Sequence, residues 1–183
     1  PLIVQWPDAT RAVLGISDAF KQDEAFVEVI YPAMDGQIYF FDLNGKKTRN
    51  PINTGVVNKG TACLDPRGYP LLFVGQGIPV ANEAGNGQSY VRVFNLLTNE
   101  LLASFGGYDY FALRDWQAYD SSPMIANDTL IYAGENGVLY SSKLNAAFDA
   151  ATGELTFEPE RLVKYSYTGS GYSKSDTPGA RWY

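Results

Sequence analysis

Ile30-Tyr31-Pro32-Ala33-Met34-Asp35-Gly36-Gln37-Ile38-Tyr39 and Ile131-Tyr132-Ala133-Gly134-Glu135-Asn136-Gly137-Val138-Leu139-Tyr140 are two copies of one pattern. The Ile, both tyrosines, the Asp/Asn and the Gly coincide at a constant offset of 101 positions, and the match continues through Leu43-Asn44 against Leu144-Asn145. A third copy lies between them. Phe41-Asp42-Leu43 matches Phe94-Asn95-Leu96 at an offset of 53, leaving 48 to the last copy. Two steps of about fifty residues define one supersecondary unit present three times.

The unit reads as four strands. A small, polar strand comes first, as in Gly60-Thr61-Ala62-Cys63 and Ser121-Ser122-Pro123-Met124-Ile125. An apolar strand such as Leu130-Ile131-Tyr132-Ala133 follows, then a turn at Asp-Gly or Asn-Gly, which takes positive dihedrals at low cost. The third strand runs into Asp42-Leu43-Asn44-Gly45, Asn95-Leu96-Leu97-Thr98-Asn99 or the longer Ala151-Thr152-Gly153 turn. Leu101–Phe105 or Glu154–Phe157 closes the unit. Composition agrees: 14% aromatic residues and 18 glycines among 183 residues suit short strands and tight turns. Helical signals are confined to two short segments, Ser17–Glu24 and Asn145–Ala151. Four strands per fifty residues is the spacing of a β-propeller blade. The expected fold is therefore all-β, a propeller fragment of three to four four-stranded antiparallel blades. They are expected at about 13–55, 59–105 and 120–158 of a single partial propeller spanning 1–183, with an incomplete blade at 172–183.

The apolar-Tyr-x-x-x-(Asp/Asn)-Gly-x-apolar-Tyr pattern with Leu at 43 and 144, followed by Ala151-Thr152-Gly153-Glu154-Leu155, resembles the pyrroloquinoline-quinone (PQQ)-like β-propeller repeat. The best copy runs from Thr129 to Phe157, and the resemblance covers most of 26–183. It implies a fold and no particular reaction. The sequence departs from the family where its quinone enzymes are most recognisable. The fourth strands end at Asn50, Phe105 and Phe157 where the family places a Trp, and Trp6 suits the end of a preceding blade's last strand. No adjacent cysteines exist to lie on a quinone, and calcium ligands cannot be placed. No cofactor is expected from the residues themselves; PQQ and calcium enter only through the resemblance. Family propellers usually close with six to eight blades. The chain is therefore expected to join a larger assembly, either the remainder of the propeller or another copy of itself. The missing initiator Met and the echo of Ser121-Ser122-Pro123 in Asp176-Thr177-Pro178 suggest a trimmed product.

Absences exclude whole chemistries. There is no histidine, which removes Ser-His-Asp and Cys-His catalysis and imidazole-ligated metal. Cys63 is the single cysteine, so an internal disulfide is impossible; it is expected to be a small buried hydrophobe. A formal net charge of −6 argues against a nucleic-acid partner. No run of about 18 apolar residues exists, so no membrane insertion is expected. An extracellular, periplasmic or cell-surface location follows mainly from the resemblance.

Two long irregular segments are expected on one face of the propeller: Gly75–Gln88, inside the second blade, and Gly106–Tyr119, between the second and third. Candidate ligand-binding residues are Asn82 and Glu83 in the first, and Tyr108, Asp109, Tyr110, Arg114, Asp115, Trp116 and Tyr119 in the second. Aromatic faces beside carboxylates suit sugar rings or a protein surface. The competing expectation is that Phe111, Leu113 and Trp116 plug the blade junction. Asp109 and Asp115 are a candidate acid–base pair. Asp42, Asn44 and Gly45 suit either calcium or, more simply, a side-chain-stabilised turn. No catalytic or metal residue is assigned. The leading expectation is a non-catalytic binding or scaffold module presenting its loop-rich face to a protein or carbohydrate. The alternative is part of a quinone-dependent dehydrogenase-like or carbohydrate-active enzyme.

Overall fold

The Asp35-Gly36 and Asn136-Gly137 turns have the same construction. Gly36 has φ +81° and Gly137 φ +83°, a region that side chains with a Cβ avoid. The preceding carboxylate or amide oxygen caps the turn, Asp35 Oδ1 accepting from Gln37 N (2.9 Å) and Asn136 Oδ1 from Val138 N (3.2 Å). Each turn joins an antiparallel hairpin: β2 (Glu28–Pro32) with β3 (Gln37–Asp42), and β10 (Thr129–Ala133) with β11 (Val138–Lys143). The register repeats as well, Tyr31 lying opposite Tyr39 and Tyr132 opposite Tyr140.

The computed structural model describes residues 1–77, 89–112, 114 and 116–166. The hairpins are the centres of four-stranded antiparallel sheets. β1 (Leu2–Val4) and β4 (Ile52–Asn53) flank the first, giving the order β1-β2-β3-β4. The second contains β5 (Cys63–Leu64), β6 (Leu71–Gly75), β7 (Tyr90–Asn95) and β8 (Glu100–Gly106), also in chain order. The third is ordered β14-β11-β10-β9, with β9 at Met124–Ala126 and β14 at Val163–Ser166. Three such sheets stacked face to face are three propeller blades, and the described residues are all-β apart from two short helices.

The stack sets the burial. One core joins Ile30, Ile38, Phe40 and Ile52 of the first sheet to Leu72, Val74 and Phe94 of the second. The other joins Leu71, Phe73, Val91 and Val93 of the second to Leu130, Tyr132, Val138 and Tyr140 of the third. The middle sheet is thus covered on both faces, and Leu71, Leu72, Phe73 and Val74 are all fully buried. That explains a continuous apolar run where a half-buried strand would alternate. Equivalent tyrosines meet opposite fates: Tyr132 is buried against the second sheet, whereas Tyr31 points away from it and is 47% exposed.

Several expectations need correction. The strand opposite β11 in the third sheet is Val163–Ser166, not Glu154–Phe157. Glu154–Phe157 (β13) pairs instead with β12 (Ala146–Asp149), a segment with weak helical signals in the sequence. Asn145, at φ +47°, turns the chain out of β11 into this hairpin. Leu155 and Phe157 then pack on the core between the second and third sheets. Of the expected helices, Ser17–Glu24 is present as α2 (Asp18–Gln22), and an unforeseen α1 (Asp8–Val13) precedes it. Trp6 does not end a preceding blade: it follows β1, which occupies the first position of the first sheet. The expected partial blade at 172–183 lies outside the described residues.

Candidate functional site

The two long loops leave the second sheet side by side. Gln76, just past β6, bridges Tyr119, whose N–H donates to Gln76 O (3.0 Å). Ser89, just before β7, accepts from Gly107 N (2.9 Å) and donates through its hydroxyl to Gln76 O (2.5 Å). Close approach here needs missing side chains. A Cβ at Gly75 would lie 2.5 Å from Ser121 O and 2.6 Å from Tyr119 O, and one at Gly60 2.6 Å from Asp120 O. The crossover from the second to the third sheet therefore runs tightly past both glycines. Beyond its first residues, the Gly75–Gln88 loop, with Asn82, Glu83 and the Gly85-Asn86-Gly87 turn signal, lies outside the described residues; so do Leu113 and Asp115.

The described part of the second loop is held from within by Asp109. Asp109 Oδ1 accepts from Lys164 Nζ (2.8 Å) on β14 and from Phe111 N (3.0 Å), and Oδ2 from the Tyr140 hydroxyl (2.8 Å). Burial pushes the Asp109 carboxyl up, but the donors Lys164, Tyr140 and Phe111 N outweigh it and hold it below the usual carboxylate range. Asn136 Nδ2 donates to Tyr140 Oη (2.7 Å) and to Gln117 Oε1 (3.0 Å), and Tyr119 Oη donates to Gly107 O (2.8 Å). Burial pushes the Tyr119 phenol up to about 12. Asp109 and Tyr119 thus face inward and fix the loop's course.

The remaining aromatic residues face solvent. Tyr108 and Tyr110 meet edge to face with ring centroids 4.7 Å apart, and Tyr110 is 87% exposed. Phe111 and Trp116 are each about half exposed. The expectation that Phe111 and Trp116 plug the junction is therefore corrected. Ala112, Ala118 and Tyr119 fill it instead, and Trp116 is drawn aside by its Nε1 hydrogen bond to Glu135. Arg114 donates to Glu135 O (3.1 Å). The result is a solvent-facing aromatic group on a loop tied to two sheets.

Asp42 holds a turn: its Oδ1 accepts from Asn44 N (2.9 Å) and Lys46 N (2.8 Å), and Gly45 sits at φ +80°. Among the described residues, no group of three or more Cys, Asp or Glu is placed to hold a metal ion. Cys63 is half-buried on β5, and burial pushes its thiol up, away from the reactive thiolate. No described helix is long and apolar enough to cross a membrane.

Sequence reasoning missed a second polar cluster, between the first and second sheets. Glu28, fully buried on β2, accepts from Trp6 Nε1 (2.9 Å), Thr48 Oγ1 (2.6 Å) and two nitrogens of Arg49 (3.0 and 2.6 Å). Arg49 donates its remaining arm to Leu96 O (2.8 Å) across the sheet junction. The only sequence signal was Trp6, and its partner Glu28 lies 22 residues away in the chain.

No family model matches the chain, and no curated protein does. Among solved structures it is similar to BamB from Moraxella catarrhalis, at 17% identity over 71% of this chain and 32% of that one, with a TM-score of 0.38. It is also similar to Sqt1 from Saccharomyces cerevisiae, at 14% identity over 79% of this chain and 34% of that one, with a TM-score of 0.42. The chain spans about a third of the length of each. What places it in the propeller class is its own three sheets, four antiparallel strands each, stacked in chain order.

Proposed function

We propose that the chain is a non-catalytic binding or scaffold module that presents the Gly106–Tyr119 loop to a protein ligand. One observation carries this reading: Tyr108, Tyr110, Phe111 and Trp116 are exposed together on a loop that Asp109 anchors to β11 and β14. Aromatic side chains held in place lose little freedom on binding and dominate protein interfaces. The chemistry is used up elsewhere. Both Asp109 oxygens are occupied by protein donors, which argues against a free acid–base role. A carbohydrate ligand is the second reading, since Tyr108, Tyr110 and Trp116 offer ring faces beside the Glu135 carboxylate. A location outside the cytoplasm accompanies both readings and is supported only by the repeat resemblance.

The test is parallel selection on a phage-displayed 12-mer peptide library and a glycan array, comparing the chain with Trp116→Ala and Tyr110→Ala. The expected result is peptide ligands whose binding weakens at least about tenfold in both variants. Glycan signals with the same dependence establish the second reading. Signals indifferent to both substitutions, or none, contradict a binding role for this loop. A melting-temperature rise with pyrroloquinoline quinone and calcium would favour the enzyme alternative instead.

A further inference from the structure

Four cations that the fold draws out of solvent meet carboxylates: Arg11 with Asp8, Arg49 with Glu28, Arg67 with Asp65, and Lys164 with Asp109. Arg92 does not. It is half-buried on β7 and has no carboxylate within ion-pair distance among the described residues. Neutral groups hold it instead. Nε donates to Gln76 Oε1 (3.1 Å), Nη1 to Ser104 Oγ (3.0 Å), and the guanidinium lies 4.6 Å from the Tyr90 ring centroid. Nη2 has no acceptor among the described residues and is not enclosed. Burial pulls the guanidinium down from its ordinary value, and no carboxylate opposes it. Val91 and Val93 point into the core toward the third sheet, so Arg92, between them, takes the other face of the strand. A partly desolvated cation thus waits for an anion within the described stack.

The strand beside it can supply the rest of a site. β8 is the outer strand of the second sheet, and propeller sheets meet through their faces, so neighbouring sheets leave this edge open. It has seven residues, against two in β4 and four in β14, and no Lys or Pro guards it. Gly107 N donates to Ser89 O, so in this register Val91–Phe105 and Val93–Ala103 are the hydrogen-bonded pairs and Arg92–Ser104 lies between them. The Ser104 N–H and C=O therefore point away from β7, toward the open edge, and have no backbone partner among the described residues. The register shift at Val93/Phe94 leaves Ala103–Gly106 regularly paired. We infer that β8 takes an extended acidic peptide as a fifth strand of this sheet, with an Asp or Glu opposite Ser104 paired to Arg92. A residue opposite Ser104 shares the Arg92–Ser104 face, two strand spacings or about 10 Å from Arg92, a distance that an arginine and a carboxylate side chain span together. Ser104 Oγ accepts from Arg92 and keeps its own proton to donate to the carboxylate. Backbone pairing supplies affinity and Arg92 the preference for acid. Leu101 and Leu102, 46% and 37% exposed along the same strand, favour apolar neighbours in the peptide. The site uses none of the aromatic residues of the Gly106–Tyr119 loop.

The test is selection from a phage-displayed 12-mer library on the chain carrying Tyr110→Ala and Trp116→Ala, which removes peptides that bind the loop. Peptides with Asp or Glu among alternating apolar residues are expected. Adding Arg92→Gln should weaken their binding at least about tenfold. Ser104→Glu should do the same, because it gives Arg92 a carboxylate of its own; Ser104 is exposed, so this variant keeps the fold should Arg92→Gln lose it, with far-UV circular dichroism as the control. Hydrogen exchange at the Ser104 amide should slow when a selected peptide binds. Peptides without acidic preference, or indifferent to both substitutions, overturn the role of Arg92. Acidic peptides that leave the Ser104 amide unprotected overturn the added strand, and failure to select any peptide overturns the site as a whole. None of these outcomes bears on the loop, which the selection on the unaltered chain tests separately.

Discussion

Replacing Arg49 with Met strands a buried charge. Glu28 is inaccessible and Arg49 only 2% exposed at its side chain, so water cannot solvate the carboxylate left behind. Met occupies much of the space of the arginine stem over Phe40, where the guanidinium now lies 4.8 Å from the ring centroid, so little cavity is created. What is lost is the pair of charge-assisted bonds at 3.0 and 2.6 Å and the donor to Leu96 O. Removing one member of a buried ion pair costs about 3–5 kcal/mol, and that is the expected loss. Adding Glu28→Gln removes the unpaired charge while keeping an oxygen for Trp6 Nε1 or Thr48 Oγ1. The double variant should therefore be more stable than Arg49→Met alone, by about 1–3 kcal/mol of coupling. Urea unfolding followed by Trp fluorescence reads both values, provided the slope against denaturant stays constant. A loss below about 1 kcal/mol for Arg49→Met, or a double variant less stable than that single one, would refute the reasoning.

Three further predictions concern the junction of the second and third sheets. The Tyr132 hydroxyl is buried without a hydrogen-bond partner, whereas that of Tyr140 joins Asn136 and Asp109. Tyr132→Phe should leave stability unchanged or raise it, and Tyr140→Phe should lower it by about 1–3 kcal/mol; the reverse order in thermal melts contradicts the network. Gly75→Ala must displace backbone at Ser121 and Tyr119, and should cost more than Gly45→Ala, whose added Cβ meets nothing within 4 Å and whose cost is only the φ of +80°. Equal melting temperatures would contradict the tight crossover. The Asp109 carboxyl is depressed in the fold, so its contribution is complete above the unfolded value near 3.9 and is lost as pH falls through the lower folded one. Asp109→Asn should therefore lose less stability than wild type between pH 5 and pH 2.5, and parallel curves would rule out the Lys164–Asp109 anchor.

The repeat, the hairpins and their turns were legible because they are local: period-two apolar residues and Asp-Gly or Asn-Gly turns act within ten residues. The direction each face points was not. Tyr31 and Tyr132 sit in the same motif, and only the stacking order makes one exposed and the other buried. Val163–Ser166 was hidden because Glu154–Phe157 carries the stronger strand pattern at the expected spacing, and the outward turn at Asn145 leaves little trace in composition. In the candidate site, the loop and its aromatic residues were visible. The inward turn of Asp109 was not, since its partners Tyr140 and Lys164 lie 31 and 55 residues away.

The three-sheet stack makes one prediction that neither the repeat nor the strands alone would make. Tyr31 and Tyr132 are identical in motif and register, yet only Tyr132 lies between sheets. Hydroxyl-radical footprinting by mass spectrometry, run on a dilute, sub-micromolar sample, measures both residues at once. The account predicts that Tyr132 is protected and that Tyr31 is readily modified. Equal modification of the two tyrosines in the dilute sample would contradict the stacked arrangement from which everything else follows.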